Sequence, residues 1–128
     1  MDYVYVIAAK ASKGGFKSPC KVGVTSNLKS RLSSIQNGCP FNIDLYCKIA
    51  MPSRSAAEEF ERAFHKINEE KCIRGEWYRI QPLKAAHLLQ LCFVSGAVAQ
   101  GLDADEATEA MEVAFSRGWE ESEVEALS

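Results

Sequence analysis

No two of the five cysteines form a Cys-x-x-Cys pair, so the chain offers no zinc-ribbon framework. Cys20, Cys39, Cys47, Cys72 and Cys92 are instead expected to be reduced thiols, several of them buried. No apolar run approaches the roughly 20 residues of a bilayer span. The opening Met1-Asp2-Tyr3 lacks the basic-then-apolar pattern of a secretory leader. A cytoplasmic protein with no membrane partner is the expectation. Internal repeats, low-complexity stretches and a recognition-helix or zinc-finger motif are also missing, which leaves sequence-specific DNA reading unsupported.

What is present suffices for one domain. A chain of 128 residues buries roughly two-thirds of its unfolded surface. Hydrophobic content of 47% and charged content of 25% are ordinary for a globular protein. The net charge of -2 conceals an asymmetry. Residues 1–81 carry 13 Lys/Arg against 8 Asp/Glu, and residues 82–128 carry 2 against 9. The basic front half suits a polyanion. The acidic back half does not.

Tyr3 to Ala9 is apolar and β-rich, and so is Cys20 to Val24. Gly14-Gly15 lies between them, so the two segments are expected to form an antiparallel hairpin. Thr25-Ser26-Asn27 supplies N-cap chemistry. Leu28, Leu32 and Ile35 then recur at helical spacing up to Gly38, predicting a helix over 28–37. Ile43 to Met51 reads as a third strand, with Ile43, Leu45, Cys47 and Ile49 on one face and Asp44, Tyr46 and Lys48 on the other.

Ser55-x-x-Glu58 predicts a capping box, followed by a helix to about Glu70 with the stripe Ala57, Phe60, Phe64 and Ile67. Gly75 to Ile80 is a short extended segment. Pro82 opens an apolar helix through Val98, expected to be buried and too short and polar for a bilayer. Asp103 and Glu106 predict a helix over 104–116, and Glu120 to Leu127 a last short helix or a frayed tail. The fold class is α/β (α+β): a small three-stranded antiparallel sheet flanked by helices, with appended C-terminal helices. Residues 1–81 form the first unit, and 82–128 an acidic helical extension packed on it.

Two tripeptides and two later residues stand out. Tyr3-Val4-Tyr5 lies on strand one, and Lys21-Val22-Gly23 lies on strand two. Arg31 follows Gly23 by eight residues, and Glu61 lies on the second long helix. In this order residues 3–80 resemble the GIY-YIG nuclease superfamily. Lys-Val-Gly, Phe64-His65-Lys66 and Gly75-Glu76-Trp77-Tyr78 are similar to its divergent, phage-associated or meiotically up-regulated branch.

The resemblance implies a catalytic Tyr5 and Arg31, and Glu61 as the protein ligand of one Mg2+ or Mn2+. It departs at Lys21, where the wider family has tyrosine; a lysine there would hold phosphate as a point charge. His65, four residues after Glu61, is placed to exchange a proton near neutral pH. Glu76 would orient Arg31 or share the metal. Lys10, Lys13, Lys17 and Lys29 form a basic set for phosphate contacts with nucleic acid, DNA in the first instance.

Taken singly, each residue also has an ordinary structural reading. Tyr5 would be a sheet-face tyrosine, Arg31 and Glu61 surface charges, His65 a packing residue, and Glu76 an ion-pair partner. Three functions stay open. They are a metal-dependent DNA endonuclease, a nucleic-acid-binding module without catalysis, and a protein that docks a partner or a second copy through residues 82–128.

Overall fold

The structure, a computed structural model, describes residues 1–10 and 16–118. Lys13, the Gly14-Gly15 connection and the tail from Glu120 fall outside the described residues. Along the chain run β1 (Asp2–Lys10), β2 (Phe16–Thr25), α1 (Leu28–Asn37), β3 (Ile43–Met51) and α2 (Arg54–Ile67). A single 3₁₀ turn (Glu69–Lys71) leads to β4 (Cys72–Arg74) and β5 (Trp77–Tyr78). Then come α3 (Pro82–Ala99), α4 (Ala104–Ala114) and β6 (Phe115–Arg117). Among the described residues there are thus four α-helices and one sheet. The class is α+β.

The sheet has six antiparallel strands in the order β4-β5-β2-β1-β3-β6, not three. The central three are the strands expected from the sequence. The other three add short edges: β4 and β5 come from the Gly75 region, and β6 from residues expected to extend α4.

β1 is the centre of the molecule. Val4 through Ala8 are all fully buried, as in a strand covered on both faces. Their side chains alternate. Val4, Val6 and Ala8 join Cys20, Val22, Cys47 and Ile49 beneath Ala57 and Phe64 of α2 and Ala85, Ala86 and Leu89 of α3. Tyr5 and Ile7 face the other way and pack with Leu28, Leu32 and Ile35 of α1 and with Leu45. Burying each of the valines, leucines and isoleucines among them is worth about 1.5–3 kcal/mol, so two covered faces hold β1 far more firmly than its propensity does.

The even-odd alternation expected along β3 does not hold. The β1–β3 register slips between Val6 and Ile7, so Val6 opposes Cys47 while Ile7 opposes Leu45. Tyr46 is the extra residue of this bulge. Beyond it Ile43 and Leu45 face α1, whereas Cys47 and Ile49 face α2 and α3. Lys48 is buried, its Nζ lying 5.1 Å from the Tyr3 ring centroid.

The helix starts are locally encoded. Asn27 caps α1 by accepting from the Ser30 amide, at 3.1 Å. The cap of α2 is Ser53, not Ser55; its Oγ accepts from the Ala56 amide, and Glu58 pairs with Arg54 at 3.0 Å instead. Ile67 is exposed rather than part of the α2 stripe. Asp103 and Glu106 form the expected capping box on α4.

α3 is only partly covered. Pro82, Ala85, Ala86 and Leu89 are buried, while Leu83, Leu91 and Val98 are exposed. At 18 residues and a mean hydropathy of 1.3, it reaches the lower bound for a bilayer span by length and composition, so the sequence was wrong to read it as too short and polar. Core helices of soluble proteins reach the same values.

Candidate functional site

The candidate site is seated on Gly23. In the β1–β2 ladder Tyr5 stands directly opposite it. A Cβ at position 23 would lie 2.5 Å from Glu76 Oε2 and 2.7 Å from Tyr5 Cζ, with Tyr5 Oη closer still. Only glycine leaves room for a phenol and a carboxylate to converge on one point of the strand.

Arg31 reaches the same point from α1. Its Nε donates to Tyr5 Oη at 3.1 Å, joining residues 26 apart in sequence. The Asn27 cap starts the helix one turn earlier, which turns Arg31 back over the sheet. Burial raises the Tyr5 phenol above its ordinary pKa, and the Arg31 hydrogen bond and charge oppose this only in part. The phenol therefore keeps its proton at neutral pH. The hydrogen bond to Tyr5 in turn pushes the Arg31 guanidinium further up.

β5 brings in Glu76. The Val22 amide donates to the Glu76 carbonyl at 3.0 Å, and Trp77 pairs with Lys21. Lys21 Nζ lies 3.5 Å from Glu76 Oε2 and 5.6 Å from the Trp77 ring centroid. Oε2 of Glu76 is itself buried and accepts no hydrogen bond. Glu61 approaches from α2. Burial, and next the Glu76 carboxylate, raise its pKa, against the opposing charges of His65, Lys21 and Arg54. Two carboxylates thus feel one another beside the glycine seat.

A hard divalent cation fits this donor set. Glu61 is half-buried and held partly toward its neutral form by that burial and then by a neighbouring carboxylate, and Glu76 carries a buried oxygen without a hydrogen bond. A cation would relieve the first condition, while Lys21 Nζ at 3.5 Å already faces the second. Among the described residues no group of three or more His, Cys, Asp or Glu side chains could hold a metal. Two carboxylates are donors that Mg2+ or Mn2+, which keep several water ligands, would take, and too few for a protein-caged zinc ion.

The remaining candidates lie around this centre. His65 Nδ1 is 2.8 Å from Tyr78 Oη, and burial raises the Tyr78 phenol well above its ordinary pKa. His65 thus bonds to a core tyrosine. Lys10 is exposed and pairs with Asp44 at 3.1 Å, Lys17 is exposed at the start of β2, and Lys29 is exposed on α1. Sequence reasoning did not find Tyr78 as the partner of His65, nor Trp77 as the ring beside Lys21. The signal for both was the Glu76-Trp77-Tyr78 run, whose pairing with β2 is too short to show as a strand.

Fold and site together define a small α+β domain with a tyrosine–arginine–carboxylate cluster over a strand glycine. The chain belongs to the T5orf172 domain family, whose profile matches residues 2–93. That domain is associated with phage proteins and nuclease-like proteins related to the GIY-YIG class. The match runs from β1 into α3. No curated protein and no solved structure matches the chain.

Proposed function

We propose that this chain is a metal-dependent endonuclease that hydrolyses DNA phosphodiester bonds through a GIY-YIG-like site. The observation that carries this reading is the convergence of Tyr5 Oη and Glu76 Oε2 over Gly23, with Arg31 bonded to the phenol. The family's association with nuclease-like proteins supports nucleic acid as the partner.

Phosphodiester hydrolysis needs an oriented water, a group that takes its proton and positive charge at the phosphate, and the leaving oxygen takes its proton from solvent water. Arg31 gives Nε to Tyr5, which holds the guanidinium in place and leaves its other N–H groups for phosphate oxygens. Tyr5 Oη orients the attacking water. Glu76 Oε2, with no hydrogen bond to lose, accepts its proton. Lys21 clamps a phosphate oxygen as a point charge. Glu61, with Glu76 beside it, would hold the cation, which when bound supplies charge stabilisation at the phosphate. His65 is a positioning residue that fixes Tyr78 beneath the site.

A second reading, nucleic-acid binding without cleavage, is favoured by one observation. Lys21 Nζ already sits 3.5 Å from Glu76 Oε2, where the wider family has a phenol. Plasmid nicking in Mg2+ or Mn2+ separates the two. Cleavage by the native chain that is lost in folded Arg31→Ala and Glu61→Ala variants is the expected result. Salt-dependent DNA binding with no nicking in either metal would establish the second reading instead.

A further inference from the structure

The sheet face that carries the cluster continues into a groove. From Gly23, β2 runs through Lys21 to Pro19 on the same face, and β1 runs from Tyr5 through Ile7 to Ala9. On α1, Ile35 lies one turn beyond Arg31. A cavity of about 510 Å³ opens there, within the size range of small-ligand sites. Its walls include Pro19, Ile35, Phe41, Ile73, Arg74 and Trp77.

Three features of this groove point to a ligand. Phe41 is 66% exposed and Ile73 49% exposed, so two large apolar side chains face solvent across it. Trp77 belongs both to the groove and to the cluster, because the same ring meets Lys21 Nζ. The groove also shares Pro19 and Phe41 with a second cavity of about 770 Å³ that Lys10 and Lys17 line. Every charged residue lining the two cavities is basic, although Lys10 also pairs with Asp44. Aromatic walls with a cationic rim match a flat, π-faced ligand joined to an anionic chain.

We infer that the Phe41–Trp77 groove is a subsite for an unpaired nucleobase next to the phosphate bound at Arg31. This rests on the phosphodiester reading of the cluster and deepens it by naming the substrate class. A base paired and stacked within a duplex does not present its faces to such a groove. The substrate is therefore single-stranded, or carries an unpaired nucleotide beside the scissile bond.

The test compares two labelled chains of equal length and charge, a short oligothymidylate and a fully abasic phosphodiester, by fluorescence anisotropy with the full protein in EDTA. The native protein binds the oligothymidylate about 5- to 100-fold more tightly. Phe41→Ala and Ile73→Ser each remove most of that preference, with circular dichroism unchanged because both side chains are exposed. Lys17→Gln weakens both chains alike. Equal affinity for the two chains, a preference that survives both groove variants, or no binding of either chain overturns the inference. The nicking assay keeps the two readings apart. Arg31-dependent cleavage without base preference sinks the groove alone; base preference without any cleavage sinks the nuclease reading alone.

Discussion

Tyr5 and Gly23 face each other across the β1–β2 ladder so closely that one methyl group at position 23 would overlap the tyrosine's hydroxyl end. The same methyl would sit 2.5 Å from Glu76 Oε2. Gly23→Ala is therefore expected to destabilise the fold by about 1–3 kcal/mol through overpacking and to displace the phenol from Arg31. Urea denaturation and plasmid nicking check both effects. An alanine variant of native stability and full cleavage would show that the seat is not needed.

Tyr5→Phe separates chemistry from packing. The buried ring stays, and only the oxygen that accepts from Arg31 is lost. Stability should change by no more than about 1 kcal/mol, while cleavage falls by about 100-fold or more. Single-turnover nicking beside a urea melt gives the two numbers.

Lys21 is the nearest cation to a buried oxygen that lacks a hydrogen bond. Lys21→Met should cost about 1–3 kcal/mol by stranding the Glu76 carboxylate. Adding Glu76→Gln should return most of that loss, because the charge that needed Lys21 is gone. A double-mutant cycle in urea measures the coupling, and additivity of the two changes would mean the pair does not interact.

The carboxyl of Glu61 is raised above its ordinary pKa by burial and then by Glu76. Between the ordinary value and the raised one, the folded state binds more protons than the unfolded state. Stability from this group thus falls as pH rises through that window, and the deficit persists at neutral pH. Glu61→Gln should be more stable than the native chain near pH 7, with the difference vanishing toward about pH 4. Mg2+ should raise the Tm of the native chain and not that of Glu61→Gln. Thermal melts at the two pH values, with and without the metal, test both statements.

Leu89 on α3 is fully buried against the sheet. Leu89→Ala should cost about 2–5 kcal/mol, whereas Leu91→Ala, at an exposed position, should cost far less. Equal effects in urea would mean that α3 is not docked as described.

The strong periodicities in the sequence were enough to read the centre of the fold. Leu28, Leu32 and Ile35 gave α1, and the β-rich runs around Tyr5, Val22 and Ile49 gave the three long strands. The edges were not legible. β5 is two residues long and exists because Cys20 and Lys21 pair with it, which is a tertiary fact. The bulge at Tyr46 was equally hidden, since nothing in Leu45-Tyr46-Cys47 marks the slip. α3 misled because its apolar residues run all round the helix while only one side is covered. Tyr5, Lys21, Arg31 and Glu76 were named together through ordered motifs, and the structure brings them to one place. The groove beside them is lined by Phe41 and Trp77 from segments 36 positions apart, which no local pattern encodes.

Along β1, parity divides labour. Even-numbered Val4, Val6 and Ala8 serve the layer beneath α2 and α3, and odd-numbered Tyr5 and Ile7 serve the layer that holds the cluster. The two sets of positions therefore answer to different neighbours. Even positions answer to the volumes of α2 and α3 and to Tyr78, the partner of His65. Odd positions answer to geometry fixed by Arg31 and Gly23. An insertion or deletion that shifted β1 by one residue would exchange the two sets, and Tyr5 would lose Arg31 and Gly23 together.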